Sequence, residues 1–222
     1  MDRIIVRNVT KEIKGALVLD HINLELDRGG IYGFIGVNGS GKTMLFRAIC
    51  GLIRLTEGEV EVFSKKLRED VIFPESLGVM LESVGFWDEY TGFENLRLLS
   101  KIRRVIGDNE IRHAITRVGL NPDDRRTYKK YSLGMKQRLG IAEAIMERPE
   151  LLVLDEPTNA LDEDGVERVR SILREERDRG ATILLASHNK EDIAVLCDRI
   201  FKMAEGRLAE VMDSQTKPEG EA

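Results

Sequence analysis

The segment Gly36-Val37-Asn38-Gly39-Ser40-Gly41-Lys42-Thr43 constrains this chain more than any other. Its spacing fits G-x-x-x-x-G-K-[ST], a loop whose backbone N–H groups cradle phosphate. Gly36, Gly39 and Gly41 can take backbone angles closed to other residues, so successive N–H groups can point inward as an anion nest. Lys42 can set its ammonium against β- and γ-phosphates, and Thr43 offers a hydroxyl to Mg²⁺. The apolar run Ile31–Ile35 before the loop reads as a strand. Met44–Cys50 after it reads as a helix closed by Gly51. That helix would point its N-terminus, and its favourable dipole, at the phosphates. A flexible glycine turn could carry the same glycines. The strand before and the helix after favour nucleotide binding, although the loop does not say which nucleotide.

Composition narrows the rest. A chain of 222 residues is ample for one core, or for a core with a small subdomain. A net charge of -5 gives no general attraction to nucleic acid. No stretch approaches the ~20 apolar residues of a membrane span, and MDRIIVRNVT lacks the apolar core of a signal peptide. Cys50 and Cys197 stand apart with no CxxC spacing, as small apolar residues of a reducing compartment.

The opening third reads as strands over 3–7, 17–19, 22–26 and 58–63, forming a small antiparallel sheet beside the phosphate loop. The middle is helical over 93–106, 109–118 and 135–148. The last third alternates: strand 151–154, helix 164–178, strand 181–186, helix 191–197, then a hairpin over 199–203 and 207–211. Uniformly apolar runs such as Leu151–Leu154 are those of buried parallel strands. One domain is expected over 1–213, with a helical subdomain inserted at about 86–148 and a disordered tail over 214–222.

Leu151–Pro157 reads LLVLDEP, a buried strand ending in two carboxylates. Side chains alternate along a strand, so Asp155 and Glu156 cannot do the same job while it continues. Alone, the pair reads equally as a solvated acidic turn after a strand; in a chain with a phosphate loop, Asp155 is placed to steady Mg²⁺, directly or through water, and Glu156 could polarise the water that attacks the γ-phosphate. Upstream, Ser132-Leu133-Gly134-Met135-Lys136-Gln137-Arg138 puts a hydroxyl and a glycine amide at a helix start. That is either a second phosphate cradle, serving a partner's nucleotide, or an ordinary helix cap.

Together GVNGSGKT, YSLGMKQR, LLVLDEP, Ala160-Leu161-Asp162 and Ser187-His188, in this order, resemble the ATP-binding cassette (ABC) ATPase domain over roughly Ile4 to Val211. The resemblance implies an α/β fold: a P-loop NTPase (RecA-like) core with an antiparallel β subdomain and an inserted α-helical signature subdomain. It implies that residues 36–43 form the Walker A loop, that Asp155 and Glu156 are the Walker B aspartate and the catalytic glutamate, and that His188 is a switch histidine near the γ-phosphate. Ser132 and Gly134 would touch the γ-phosphate held by an opposite subunit, and Asp162 would belong to the D-loop. ATP and Mg²⁺ are the implied cofactors. The implied partners are membrane-spanning permease subunits and a second cassette, identical or not, with no nucleic acid. The implied place is the cytoplasmic, inner face of the membrane, reached through the permease. A cassette ATPase acting on ribosomes or DNA is the alternative; such relatives typically carry two cassettes or a coiled-coil insertion, and this chain has neither.

The sequence departs from the family pattern at four places. The signature has Leu133 and Met135 where glycine and glutamine are usual. Glu82 stands at the position of the Q-loop glutamine, where a carboxylate still offers a hard oxygen to Mg²⁺. Glu82 and the SLGMKQR signature resemble bacitracin- and lantibiotic-type exporters and tilt the reading to export. No aromatic lies near Ile13, where the family often stacks adenine. Phe86, Trp87, Tyr90 and Phe93 cluster in a chain with 5% aromatics. They form either a groove for a permease helix or part of the helical subdomain's own core.

Overall fold

The computed structural model describes residues 2–81 and 85–213. Two sheets organise the chain. β1 (Arg3–Ile13) and β2 (Ala16–Asp27) form an antiparallel hairpin. Its two turn residues, Lys14 and Gly15, have φ of 51° and 83°, the left-handed pair that a two-residue hairpin turn requires. β4 (Glu57–Val62) and β5 (Lys65–Lys66) complete this sheet in the order β2-β1-β4-β5.

The second sheet contains β3 (Ile31–Ile35), β6 (Leu77–Met80), β7 (Leu151–Asp155), β8 (Thr182–Ala186), β9 (Arg199–Ala204) and β10 (Arg207–Asp213), in the order β10-β9-β3-β8-β7-β6. All neighbours in it are parallel except β9 and β10. Apart from its last residue in β3 and β7, every residue of β3, β7 and β8 is buried, as expected for strands covered on both faces. Alternate side chains serve two cores. Leu152, Leu154, Ile183 and Leu185 pack in one core, and Leu151, Val153, Leu184 and Phe34 in the other, with the β subdomain and with Leu45, Phe46 and Ile49. In that second core Phe34 meets Phe46 edge-on at 5.1 Å and stacks on Phe201 at 5.2 Å.

The helices are α1 (Lys42–Ile49), α2 (Gly92–Arg103), α3 (Asp108–Arg117), α4 (Leu133–Ile145), α5 (Glu163–Asp178) and α6 (Lys190–Leu196). In the chain, α2, α3 and α4 lie between β6 and β7. Thr91 and Glu94 close a capping box at the start of α2. Among the described residues no helix is long and apolar enough to cross a membrane.

The structure revises several expectations. The first strand runs on to Ile13, and the segments 17–19 and 22–26 are one strand. A register shift and the left-handed His21 (φ 51°) interrupt its alternation, so that Leu19 and Ile22 are both buried. β6 was not foreseen. It is four residues long and contains Gly78, where a Cβ would run into the Ala144 carbonyl oxygen and come within 2.7 Å of Pro149. The aromatic cluster divides. Phe86 is buried, 5.2 Å from Tyr128, while Trp87 and Tyr90 are 49% and 43% exposed. The buried Asn95 fixes this loop, accepting from Trp87 N at 2.8 Å and donating to the carbonyls of Trp87, Tyr90 and Thr91. The tail over 214–222 lies outside the described residues, as does Glu82.

Candidate functional site

Strand register builds the site. Phe34 of β3 and Asp155 of β7 both lie opposite Ala186 of β8, so these three strands end level with one another. The loops leaving them carry residues 36–43, Glu156 and His188. This is the carboxyl edge of a parallel sheet, where α/β proteins place their ligands.

The phosphate loop is shaped by its glycines. At Gly36 a Cβ would collide with the Met203 carbonyl oxygen. At Gly41, which caps α1 with φ 108°, it would lie 2.9 Å from the Val18 carbonyl. Lys42 is buried and folds back on the loop, its Nζ donating to the carbonyls of Gly36 at 2.7 Å and Val37 at 3.3 Å. Thr43 Oγ1 donates to Asp155 Oδ2 at 2.5 Å.

β7 ends at Asp155, and Glu156 turns the chain with φ 53°. Its backbone is held at both polar atoms. Glu156 N donates to the Ala186 carbonyl at 2.9 Å, and its carbonyl accepts from Gln137 Nε2 at 2.7 Å. The side chain reaches His188: Oε2 accepts from His188 N at 3.2 Å, and Oε1 lies 3.5 Å from His188 Nε2. Burial raises the Glu156 pKa, opposed by the His188 backbone bond and the nearby His188 and Lys42. Oε1 is buried and makes no hydrogen bond, which leaves one carboxylate acceptor unsatisfied beside the cleft. His188 Nε2 lies 2.8 Å from Asn38 Oδ1, tying the end of β8 to the phosphate loop.

These groups line a cleft of about 610 Å³ that includes Asn38, Gly39, Ser40, Gly41, Lys42, Thr43, Asp155, Glu156 and His188. The Thr43 hydroxyl and Asp155 carboxylate are hard oxygen donors side by side, which suits Mg²⁺. Among the described residues no group of three or more His, Cys, Asp and Glu could hold a metal. A small protein ligand set fits an ion that keeps several waters and takes oxygens from phosphate.

Ser132 and Gly134 are not among the residues lining this cleft; Leu133 between them is, at 70% exposure. Ser132 is exposed at the start of α4, where its Oγ accepts from Met135 N at 3.2 Å. The cap reading is therefore met, with the serine still facing outward. Asp162 caps α5, accepting from Gly165 N at 3.0 Å and from Arg138 Nη2 at 2.7 Å. Ile13 does not line the cleft and is 41% exposed. Six lining residues were not among the site residues expected from sequence: Val18, Met44, Leu133, Gln137, Asn159 and Ala160. Gln137 lay within the quoted signature and Asn159 just beyond LLVLDEP. Val18 carries no local signal, since only the pairing of the two sheets brings it beside Gly41.

A family model described as "ABC transporter" matches residues 19–159. Among curated proteins, the uncharacterized ABC transporter ATP-binding protein YybJ of Bacillus subtilis (strain 168) is 51% identical over 203 residues, covering 91% of this chain and 93% of that protein. The bacitracin transport ATP-binding protein BcrA of Enterococcus faecalis is 40% identical, covering 91% of this chain and 67% of that protein. The lantibiotic transport ATP-binding protein SrtF of Streptococcus pyogenes is 31% identical, covering 91% and 87%. Among solved structures, the ATP-binding cassette MJ0796, in a dimeric post-hydrolysis state bound to ADP and Pi, superposes with a TM-score of 0.87 at 22% identity. It covers 95% of this chain and 98% of its own, and it establishes the shared fold. A family match over more than half of the sequence, joined by relatives this similar along nine-tenths of it, settles the assignment: this chain belongs to the ABC transporter family, as one of its ATPase subunits.

Proposed function

We propose that the cleft binds ATP with Mg²⁺, and that two cassettes pair head-to-tail to hydrolyse it and drive export through separate membrane-spanning permease subunits. The chain would then work at the inner face of the membrane, held there by the permease. The observation that carries this reading is the convergence of Lys42, the Thr43–Asp155 pair and the Glu156–His188 pair on one cleft.

Each residue has a step. The loop amides and the Lys42 ammonium, released from the Gly36 and Val37 carbonyls, hold the β- and γ-phosphates. Thr43 and Asp155 would hold Mg²⁺, which supplies neutralisation of phosphate charge when bound. Glu82, at the Q-loop position, is a third oxygen donor assigned from sequence. Glu156 accepts a hydrogen bond from the attacking water, its carboxylate made more basic by burial. His188 Nε2 exchanges Asn38 for a γ-phosphate oxygen. The rest is positioning and electrostatics, which govern phosphoryl transfer.

The exposure of Ser132 outside its own cleft supports a role in the partner's site. Its hydroxyl and the amides at the start of α4 form an anion-binding helix terminus that a second copy could meet. The names of the bacitracin and lantibiotic relatives support an amphipathic peptide as cargo.

The test is ATP hydrolysis against protein concentration, with size-exclusion chromatography in ATP–Mg²⁺, for wild type and Glu156→Gln. Hydrolysis should rise more than linearly, and a stable dimer should form with Glu156→Gln alone. Linear hydrolysis by a monomer, unaffected by Glu156→Gln, would overturn the reading.

A further inference from the structure

Thr158, two residues after Glu156, donates from Oγ1 to Asp192 Oδ2 at 2.7 Å. Asp192 lies four residues after His188, in the first turn of α6, and is 1% exposed. Its other oxygen, Oδ1, accepts from Arg170 Nε at 2.8 Å and lies 2.7 Å from Arg170 Nη2. Arg170, on α5, is itself 5% exposed and is also paired with Glu167 at 2.6 Å and Glu191 at 3.1 Å. A buried carboxylate thus joins three segments: the turn that carries Glu156, the start of the helix that follows His188, and the middle of α5.

We infer that Thr158 and Asp192 are positioning residues for hydrolysis: anchored on Arg170, they fix the start of α6, and with it His188, against the turn that carries Glu156. α6 has seven residues, too few to hold its own place. Ile193 and Leu196 bury its apolar side, but apolar contact is non-directional and allows sliding. The Asp192 bonds are directional and run to both neighbours. The contacts that depend on this placement are long: 3.2 Å from His188 N to Glu156 Oε2, and 3.5 Å between the ring and Oε1. Small displacements of α6 therefore decide whether His188 and Glu156 face the same phosphate.

This inference rests on the reading of Glu156 and His188 as the hydrolytic pair. The test keeps the two apart. Removing Asp192 strands a buried arginine and threatens the fold, so the informative variant is Thr158→Val. It keeps the Arg170–Asp192 pair and deletes one hydroxyl. Full-length wild type, Thr158→Val, Thr158→Ser and Glu156→Gln are compared for kcat, KM for ATP and thermal midpoint. Thr158→Val should lower kcat about tenfold, leave KM and the affinity for a non-hydrolysable ATP analogue within about twofold, and be rescued by Thr158→Ser. A Thr158→Val enzyme with wild-type kcat, with KM raised in proportion to any loss, or with no rescue by serine, overturns the inference. Full hydrolysis by Glu156→Gln instead overturns the functional reading beneath it, whatever Thr158→Val does.

Discussion

Glu143 makes folding stability depend on pH. It lies on α4, one turn before Glu147, whose carboxylate is held by Arg103 at 2.7 Å. Burial, reinforced by the Glu147 charge, pushes the Glu143 carboxyl from 4.5 up to about 7. Between those values the folded chain keeps a proton that the unfolded chain has lost. Stability therefore falls as pH rises through this window. Below pH 4.5 the carboxyl is neutral in both states and exacts nothing. Above pH 7 it is charged in both, and the folded state bears the whole cost of burying that charge. At about 1.4 kcal/mol per pH unit, the gap corresponds to about 3 kcal/mol at pH 8 and under about 1 kcal/mol at pH 5. Glu143 keeps some solvent contact, which makes about 3 kcal/mol the upper figure. Glu143→Gln removes the ionisation and keeps the shape. Urea unfolding at pH 8 and pH 5 should show a midpoint raised strongly at the higher pH and little at the lower, with the m-value unchanged. An equal gain at both, or a loss at pH 8, would refute the reasoning, because neither can come from a charge that burial disfavours.

Two further expectations concern the cleft and the surface beside α2. Among the described residues no Phe, Tyr or Trp lines the cleft, and Val18 lies in its wall next to Gly41, so a nucleotide bound as proposed would meet no ring from this chain to stack its base on. The kcat/KM values for ATP and GTP should agree within about fivefold; selectivity above about 50-fold would show a base-recognition contact that these residues do not supply. Trp87 is half-exposed, and its backbone N–H and carbonyl are both bonded to the Asn95 side chain. Trp87→Ala should leave ATP binding and thermal midpoint unchanged while lowering transport by the assembled complex, and equal losses in binding and transport would place the ring in the fold's own support.

What was legible in the sequence was chemistry confined to short segments. The glycines, Lys42 and Thr43 constrain one another within eight residues, and the apolar run before Asp155 announces a buried strand by itself. The α2–α4 region was legible for the same reason, since helical periodicity and caps are local. What escaped depends on partners far along the chain. Gly78 joins a strand by pairing with Leu152, and only glycine fits there under the Ala144 carbonyl of α4; no window around residue 78 contains either neighbour. Phe86 is buried in a T-shaped contact with Tyr128, 42 positions along the chain, while its neighbour Trp87 stays half-exposed. The bond between Asn38 and His188 joins residues 150 positions apart.

The two adjacent carboxylates show how the fold separates jobs that the sequence places side by side. With extended geometry at both positions, Asp155 and Glu156 would point to opposite faces of the sheet, and one would be lost in a core. Instead β7 stops at Asp155, and Glu156 enters the left-handed region at φ 53°. That conformation is costly for a residue with a side chain, by about 1 kcal/mol or more, and persists only when its surroundings fix it. Here the surroundings are the Ala186 carbonyl, which takes the Glu156 N–H, and Gln137, which donates to its carbonyl. Gln137 belongs to α4, and Ser132 caps the same helix five residues earlier with its side chain exposed. One rigid element therefore braces the strained glutamate of its own cleft and presents a hydroxyl away from it. A displacement of α4 would be felt at both ends, which is what two clefts paired as proposed above would need in order to sense each other.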